Sequence, residues 1–195
     1  MPALDFAEAL APDDLVDPPD DSVERRYRYL SRCRRVRVGP AVTFVFENRQ
    51  TLWFRVQELA QVARLTDEAH VRSELNWYSR LLPDADHLSA AVWVAEPGRR
   101  PSKALSAVRK ALIAGCIALR ADDGREIPGS FRTDRVGDPI IGLTLWAEFA
   151  FTAADRAALA DPRHDWHLIV EAVGYCHASE PFHDAVRASL LDDLV

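Results

Sequence analysis

The sequence has no stretch approaching the ~18 uninterrupted apolar residues that a membrane span requires, and no basic residue between Met1 and Asp21, where seven acidic ones fall. That start is the reverse of a secretory leader, so the chain is predicted to be cytoplasmic, with no membrane association. Cysteine is scarce: Cys33, Cys116 and Cys176 are odd in number and more than fifty residues apart, which excludes both a disulfide framework and a Cys-x-x-Cys zinc or redox site. Positive charge is also short, with 24 Lys and Arg against 30 Asp and Glu, for a net charge of −6. A surface serving nucleic acid needs a positive field, so nucleic acid is not expected as a partner. Nucleophile elbow, P-loop, dinucleotide fingerprint and zinc-protease helix are all missing, and no cofactor is indicated.

What is present suits one globular α+β domain: 195 residues, 48% of them hydrophobic. Residues 1–19, with four prolines and five acidic side chains, read as an irregular N-terminal arm, and residues 20–195 as the domain. Asp21 with Glu24 starts a helix whose apolar stripe is Val23, Tyr27 and Leu30, ending near Cys33. Alternation then predicts strands at Val36–Val38, Val42–Glu47 and Thr51–Arg55, a three-stranded meander. Two amphipathic helices follow between Val56 and Leu82, then a strand over Leu88–Ala95 and a helix through Leu105, Val108 and Leu112. Glu126 to Pro139 has no period and reads as a loop. Ile141–Phe151 reads as a long strand, Thr152 with Asp155 as a helix cap, His167–Val173 as a last strand, and Ser179-Glu180-Pro181 as the start of a final helix. Without regular βαβ alternation, these elements predict a mostly antiparallel sheet with helices packed on one side.

The string Arg34-Arg35-Val36-Arg37-Val38-Gly39-Pro40, then Thr43, Phe46-Glu47-Asn48, Thr51 and Val56-Gln57-Glu58, resembles a family of bacterial proteins of about this length known only as a domain of unknown function. The resemblance continues through Glu74-Leu75-Asn76-x-Tyr78, Leu82-Pro83-Asp84 and Leu88-Ser89-Ala90, and returns at Phe149 to Thr152. Where an acidic-His-Pro segment would be expected, this chain has Cys176-His177-Ala178. Members tend to be encoded beside rubrerythrin-like diiron proteins and iron–sulfur proteins. The resemblance therefore implies an accessory role beside a redox or metalloenzyme partner, and no catalytic residue.

Four groups of residues are candidates for function. His164, His167, Cys176, His177 and His183 lie within twenty residues and offer the soft donors that zinc, copper or iron take; the alternative is scattered surface histidines. Glu47, Gln57, Glu58, Glu74 and Tyr78 could bind a small polar ligand, Glu74 and Tyr78 sharing a helix face at i and i+4, or else serve as caps and core. The run Arg25, Arg26, Arg28, Arg32, Arg34, Arg35 and Arg37, with no acidic residue between Glu24 and Glu47, suits an acidic partner or the chain's own acidic arm. Trp53 and Trp93 stand opposite the apolar sets of their strands, as aromatic anchors of a partner or homodimer contact would, provided the sheet is not covered on both faces. Two functions follow: an accessory protein binding through Trp53, Trp93, Arg28, Arg35 and Arg37, or a small-molecule or metal-dependent enzyme using the C-terminal His/Cys region with Glu47 or Glu148.

Overall fold

The computed structural model describes residues 20–63, 68–95, 103–132 and 144–194, with the side chains of 20–23, 57–63 and 68–71 outside the description. Helix α1 (Asp20–Tyr29) runs into a π-helical turn (Leu30–Arg34) and then strands β1 (Arg35–Val38) and β2 (Val42–Phe46). Helices α2 (Arg49–Ala63) and α3 (Glu68–Ser79) lead to β3 (His87–Val94), followed by α4 (Lys103–Ile113), β4 (Cys116–Ala121) and β5 (Glu126–Arg132). The chain continues through β6 (Leu145–Ala150), α5 (Ala153–Ala160), β7 (Trp166–Ala172), β8 (Tyr175–Ala178) and α6 (Asp184–Asp193). The expected arm over residues 1–19 and the Ile141 and Leu143 end of the expected long strand lie outside the described residues. No helix among the described residues is long and apolar enough to cross a membrane.

The eight strands form one sheet in the order β1-β2-β3-β6-β5-β4-β7-β8, each neighbour antiparallel. The fold is thus α+β, with a sheet curled nearly into a barrel. Closure rests on Tyr175 at the start of β8: its hydroxyl donates to Val38 O at 2.6 Å and accepts from the amides of Ala41 and Val42 at 3.0 and 3.1 Å. The far edges of the sheet are tied by one phenol. Gly39, in the turn between β1 and β2, makes this approach possible. Its φ is +63°, and a Cβ there would stand 2.6 Å from the His177 ring and 2.8 Å from the Tyr175 hydroxyl.

Side-chain alternation divides the apolar residues into two cores. Phe44, Ala90, Ala147, Phe149 and Leu168 point one way and pack with Leu105 and Leu112 of α4, Leu159 of α5 and Leu190 of α6. Ala91 and Trp146 point the other way, against Leu52, Val56, Leu75, Trp77 and Tyr78 of α2 and α3. Helices therefore flank both faces of β3 and β6 rather than one, because these strands carry apolar residues at odd and even positions alike.

Three further expectations are corrected. Thr51–Arg55 is not a strand but the first turns of α2. Asn48 and Thr51 cap each other, Thr51 N donating to Asn48 Oδ1 at 3.0 Å and Asn48 N to Thr51 Oγ1 at 2.8 Å, and Leu52 and Val56 then bury one helical face. Glu126–Arg132 is not a loop but β5. Its Gly129 lies so close to Phe149 that a Cβ would come within 2.5 Å of the ring, and pairing to β6 begins only at Gly129, one residue after Pro128. The last helix starts at Asp184, not at Ser179, since Ser179 N donates to Leu168 O at 2.9 Å and so still extends the β7 side of the sheet.

Candidate anion-binding site

Arg25, Arg28 and Arg32 recur at three- and four-residue intervals, which places them on one face of α1 and the π turn. With Tyr29, Cys33 and Ala185 of α6 they line an open cavity, a surface depression of about 300 Å3. Within the π turn Arg34, its last residue, points inward while Arg32 stays exposed; single π turns of this kind recur at functional sites. Arg34 is 2% exposed and forms a two-pronged bond with Asp193 of α6, Nη1 to Oδ2 and Nη2 to Oδ1 at 3.3 Å. Its Nε donates to the Tyr29 hydroxyl at 2.9 Å, and Asn48 Nδ2 donates to the same oxygen at 2.9 Å. The cavity wall is thereby fixed to both α6 and the start of α2. Burial pushes the Asp193 carboxyl above its ordinary pKa even though Arg34 favours the ionised form.

Around the cavity the positive charge is only partly neutralised. Arg28 Nη2 donates to Glu24 at 2.9 Å, an exposed i,i+4 pair, whereas Arg32 has no hydrogen-bond or ion-pair partner among the described residues. Arg35 Nη1 reaches Ser31 Oγ at 3.4 Å, its guanidinium lies 5.4 Å over the Tyr27 ring, and Arg37 is exposed on the same strand. Tyr27, expected in the buried stripe of α1, is instead 62% exposed. The inward side of this segment is set by Arg34 and by the contact of α6 with the π turn.

The ligand set predicted on the second region is placed differently. Glu47 is fully buried and already satisfied: Thr51 Oγ1 donates to Oε2 and Arg55 Nε to Oε1 at 2.6 Å. The Arg55 guanidinium stacks 4.8 Å from Trp93 and 5.2 Å from Trp146. Tyr78 meets Trp146 edge to face at 6.0 Å, and Glu74 is buried on the same helix. Glu47, Arg55, Trp146 and Tyr78 are therefore one contiguous cluster; the side chains of Gln57 and Glu58 lie outside the described residues. The tryptophans expected on a free surface belong here too. Trp53 and Trp93 pack on this second core, and Trp93 Nε1 donates to Thr144 at 3.0 Å.

The C-terminal histidines do not converge: among the described residues no three of His164, His167, Cys176, His177 and His183 come within metal-binding reach of one another. His164 turns to the β4–β5 turn, Nδ1 2.9 Å from Asp122, and with Asp123 these side chains form a small exposed cluster. The His164 hydrogen bond holds the Asp122 carboxyl below its ordinary range. His167 Nδ1 donates to Ser179 O at 2.9 Å, Cys176 Sγ to Ala172 O at 3.4 Å, and His177 meets Tyr175 edge to face with ring centres 4.4 Å apart. His183 is the exposed residue before α6. Glu180 and His183, although spaced as a Glu-x-x-His pair, lie in the irregular segment before α6 and so share no helical face. Sequence reading missed the Arg34–Asp193 bond and the Tyr175 bridge, because neither has a local signal.

A nearly closed antiparallel barrel with helices on both faces, carrying a basic cavity at one edge, is the class of molecule these observations define. The chain belongs to the family described as "Protein of unknown function (DUF3501)", which matches residues 21–194. Its fold is similar to that of a novel protein of unknown function from Burkholderia pseudomallei K96243, with a TM-score of 0.71 and 22% sequence identity over 96% of this chain and 100% of that one. No curated protein matches the sequence.

Proposed function

We propose that this protein is a non-catalytic accessory protein that docks on an acidic surface of a redox enzyme or metalloenzyme through the face built from α1, the π turn and β1. The observation that carries the reading is Tyr27, 62% exposed with Arg35 stacked over its ring. An exposed tyrosine beside an arginine is the composition of interface anchors, and Arg28 and Arg37 flank it as rim charges. The partner class comes from the company that the resembled family keeps, beside rubrerythrin-like and iron–sulfur proteins.

Site-specific photo-crosslinking tests this. A benzophenone side chain placed at Tyr27 in the native host is expected to capture a redox enzyme or metalloenzyme, while the same group at Val173, on the exposed β7–β8 turn, does not. With the captured protein purified, Tyr27→Ala weakens the complex by about 2 kcal/mol, roughly thirtyfold, and Arg28→Glu slows association most at low salt. No adduct at position 27, or an adduct whose purified partner binds Tyr27→Ala as tightly as wild type, would overturn the proposal.

A further inference from the structure

The cavity beside that face is suited to something smaller than a protein. We infer that Arg25, Arg28 and Arg32, with Tyr29 and Ala185, form a binding site for the phosphate group of a small ligand, an activity distinct from protein docking although Arg28 borders both surfaces. The volume, about 300 Å3, lies at the lower end of small-molecule sites, and it is bounded by two separate elements, α1 with its π turn and α6.

The choice of anion follows from the number and kind of donors. One guanidinium fork satisfies both oxygens of a carboxylate, whereas a phosphate monoester presents three terminal acceptor oxygens and a charge between −1.5 and −2 near pH 7, as is typical of such groups. Three guanidinium groups from successive turns of one helical segment suit the second ion better than the first, Arg32 being available as it stands and Arg28 by exchanging its exposed pair with Glu24. Two features make the site preorganised. Tyr29 is held by hydrogen bonds from Arg34 and Asn48, so the wall between the arginines does not have to be ordered on binding. Arg32 projects from the π turn with no partner among the described residues, so a ligand recruits it without breaking an existing pair. Ala185 supplies the space, since its side chain ends at Cβ where α6 faces the arginines.

Calorimetric titration of the full chain with inorganic phosphate, at ionic strength held constant with chloride, provides the test. The expected result is one phosphate per chain, bound at least tenfold more tightly than succinate. Arg32→Gln is expected to weaken phosphate at least tenfold. Ala185→Leu keeps every charge but pushes a larger side chain between α6 and the arginines, and it is expected to weaken binding at least tenfold; an unchanged urea midpoint shows that this half-buried position tolerates the leucine. Phosphate binding equally well to Ala185→Leu and wild type would mean a diffuse surface charge effect and would overturn the site. So would succinate matching phosphate, or no phosphate heat with wild type. Partner crosslinking from position 27 is measured on the same Ala185→Leu protein, so loss of the small-ligand site and failure of protein docking are read separately.

Discussion

Arg55 donates from Nε to Oε1 of Glu47 at 2.6 Å, and this bond neutralises a carboxylate with no exposed surface. The arginine is held in turn by two indole rings, so charge, hydrogen bond and aromatic stacking converge at one side chain. Removing one member of a buried pair leaves the other uncompensated, which costs about 3–5 kcal/mol. Arg55→Gln is therefore expected to lower unfolding free energy by that amount in urea titration, with a change in tryptophan emission from Trp93 and Trp146. The double change Arg55→Gln with Glu47→Gln should recover part of the loss. A double variant no more stable than the single would show that packing, and not charge, dominates.

Tyr175→Phe keeps the ring and removes the hydroxyl that serves one carbonyl and two amides at the barrel seam. Leaving buried polar groups unpaired costs about 1–3 kcal/mol. Urea unfolding should show a loss in that range, and native-state hydrogen exchange should show faster exchange at Ala41 and Val42 than at β3 amides.

Thr152 and Asp155 form a reciprocal cap at the start of α5, Asp155 N donating to Thr152 Oγ1 at 3.2 Å and Thr152 N to Asp155 Oδ2 at 2.9 Å. Burial pushes the Asp155 carboxyl up, but the bonds from Thr152 outweigh it and hold the folded pKa below its ordinary value of 3.8. The stability it contributes is thus present above that value and lost as pH falls through the lower, folded one. Thr152→Ala should cost about 1 kcal/mol at pH 7. The difference between wild type and Asp155→Asn, followed by thermal melting, should shrink as the solution is acidified below 3.8. A gap that widened on acidification would contradict the sign.

Gly129→Ala should destabilise by about 1–3 kcal/mol, the usual cost of overpacking, because the new methyl meets the Phe149 ring at 2.5 Å. Phe149→Leu in the same chain should relieve part of it. Calorimetric melting of the two variants separately and together checks the coupling.

How much of this was legible depended on the range of the interaction involved. Strands β2, β3 and β7 were readable because Phe44, Ala90 and Leu168 alternate with residues of the opposite face. Thr51-Leu52-Trp53-Phe54-Arg55 misled because β-branched and aromatic residues favour strands, while the deciding signal was the short-range pairing of Asn48 with Thr51. Strand β5 was hidden by Pro128 and Gly129, whose reason lies across the sheet in Phe149. In the site, the face shared by Arg25, Arg28 and Arg32 could be counted off the sequence. The outward turn of Tyr27 could not, since it follows from which side of the segment α6 covers. Nor could the second core: opposite-face tryptophans read equally well as an interface until α2 and α3 are seen over them.

The seam of the barrel also sets a clock. Val38 meets Tyr175 across 137 residues and Arg34 meets Asp193 across 159. A ribosome adding ~5–20 residues per second finishes those partners roughly ten to thirty seconds after the arginine segment has been made. Until then the π turn has neither its carboxylate nor its neighbouring helix, and Ala185 is not there to complete the cavity wall. The basic face therefore cannot take shape before β8 and α6, the last of the described elements, have been made.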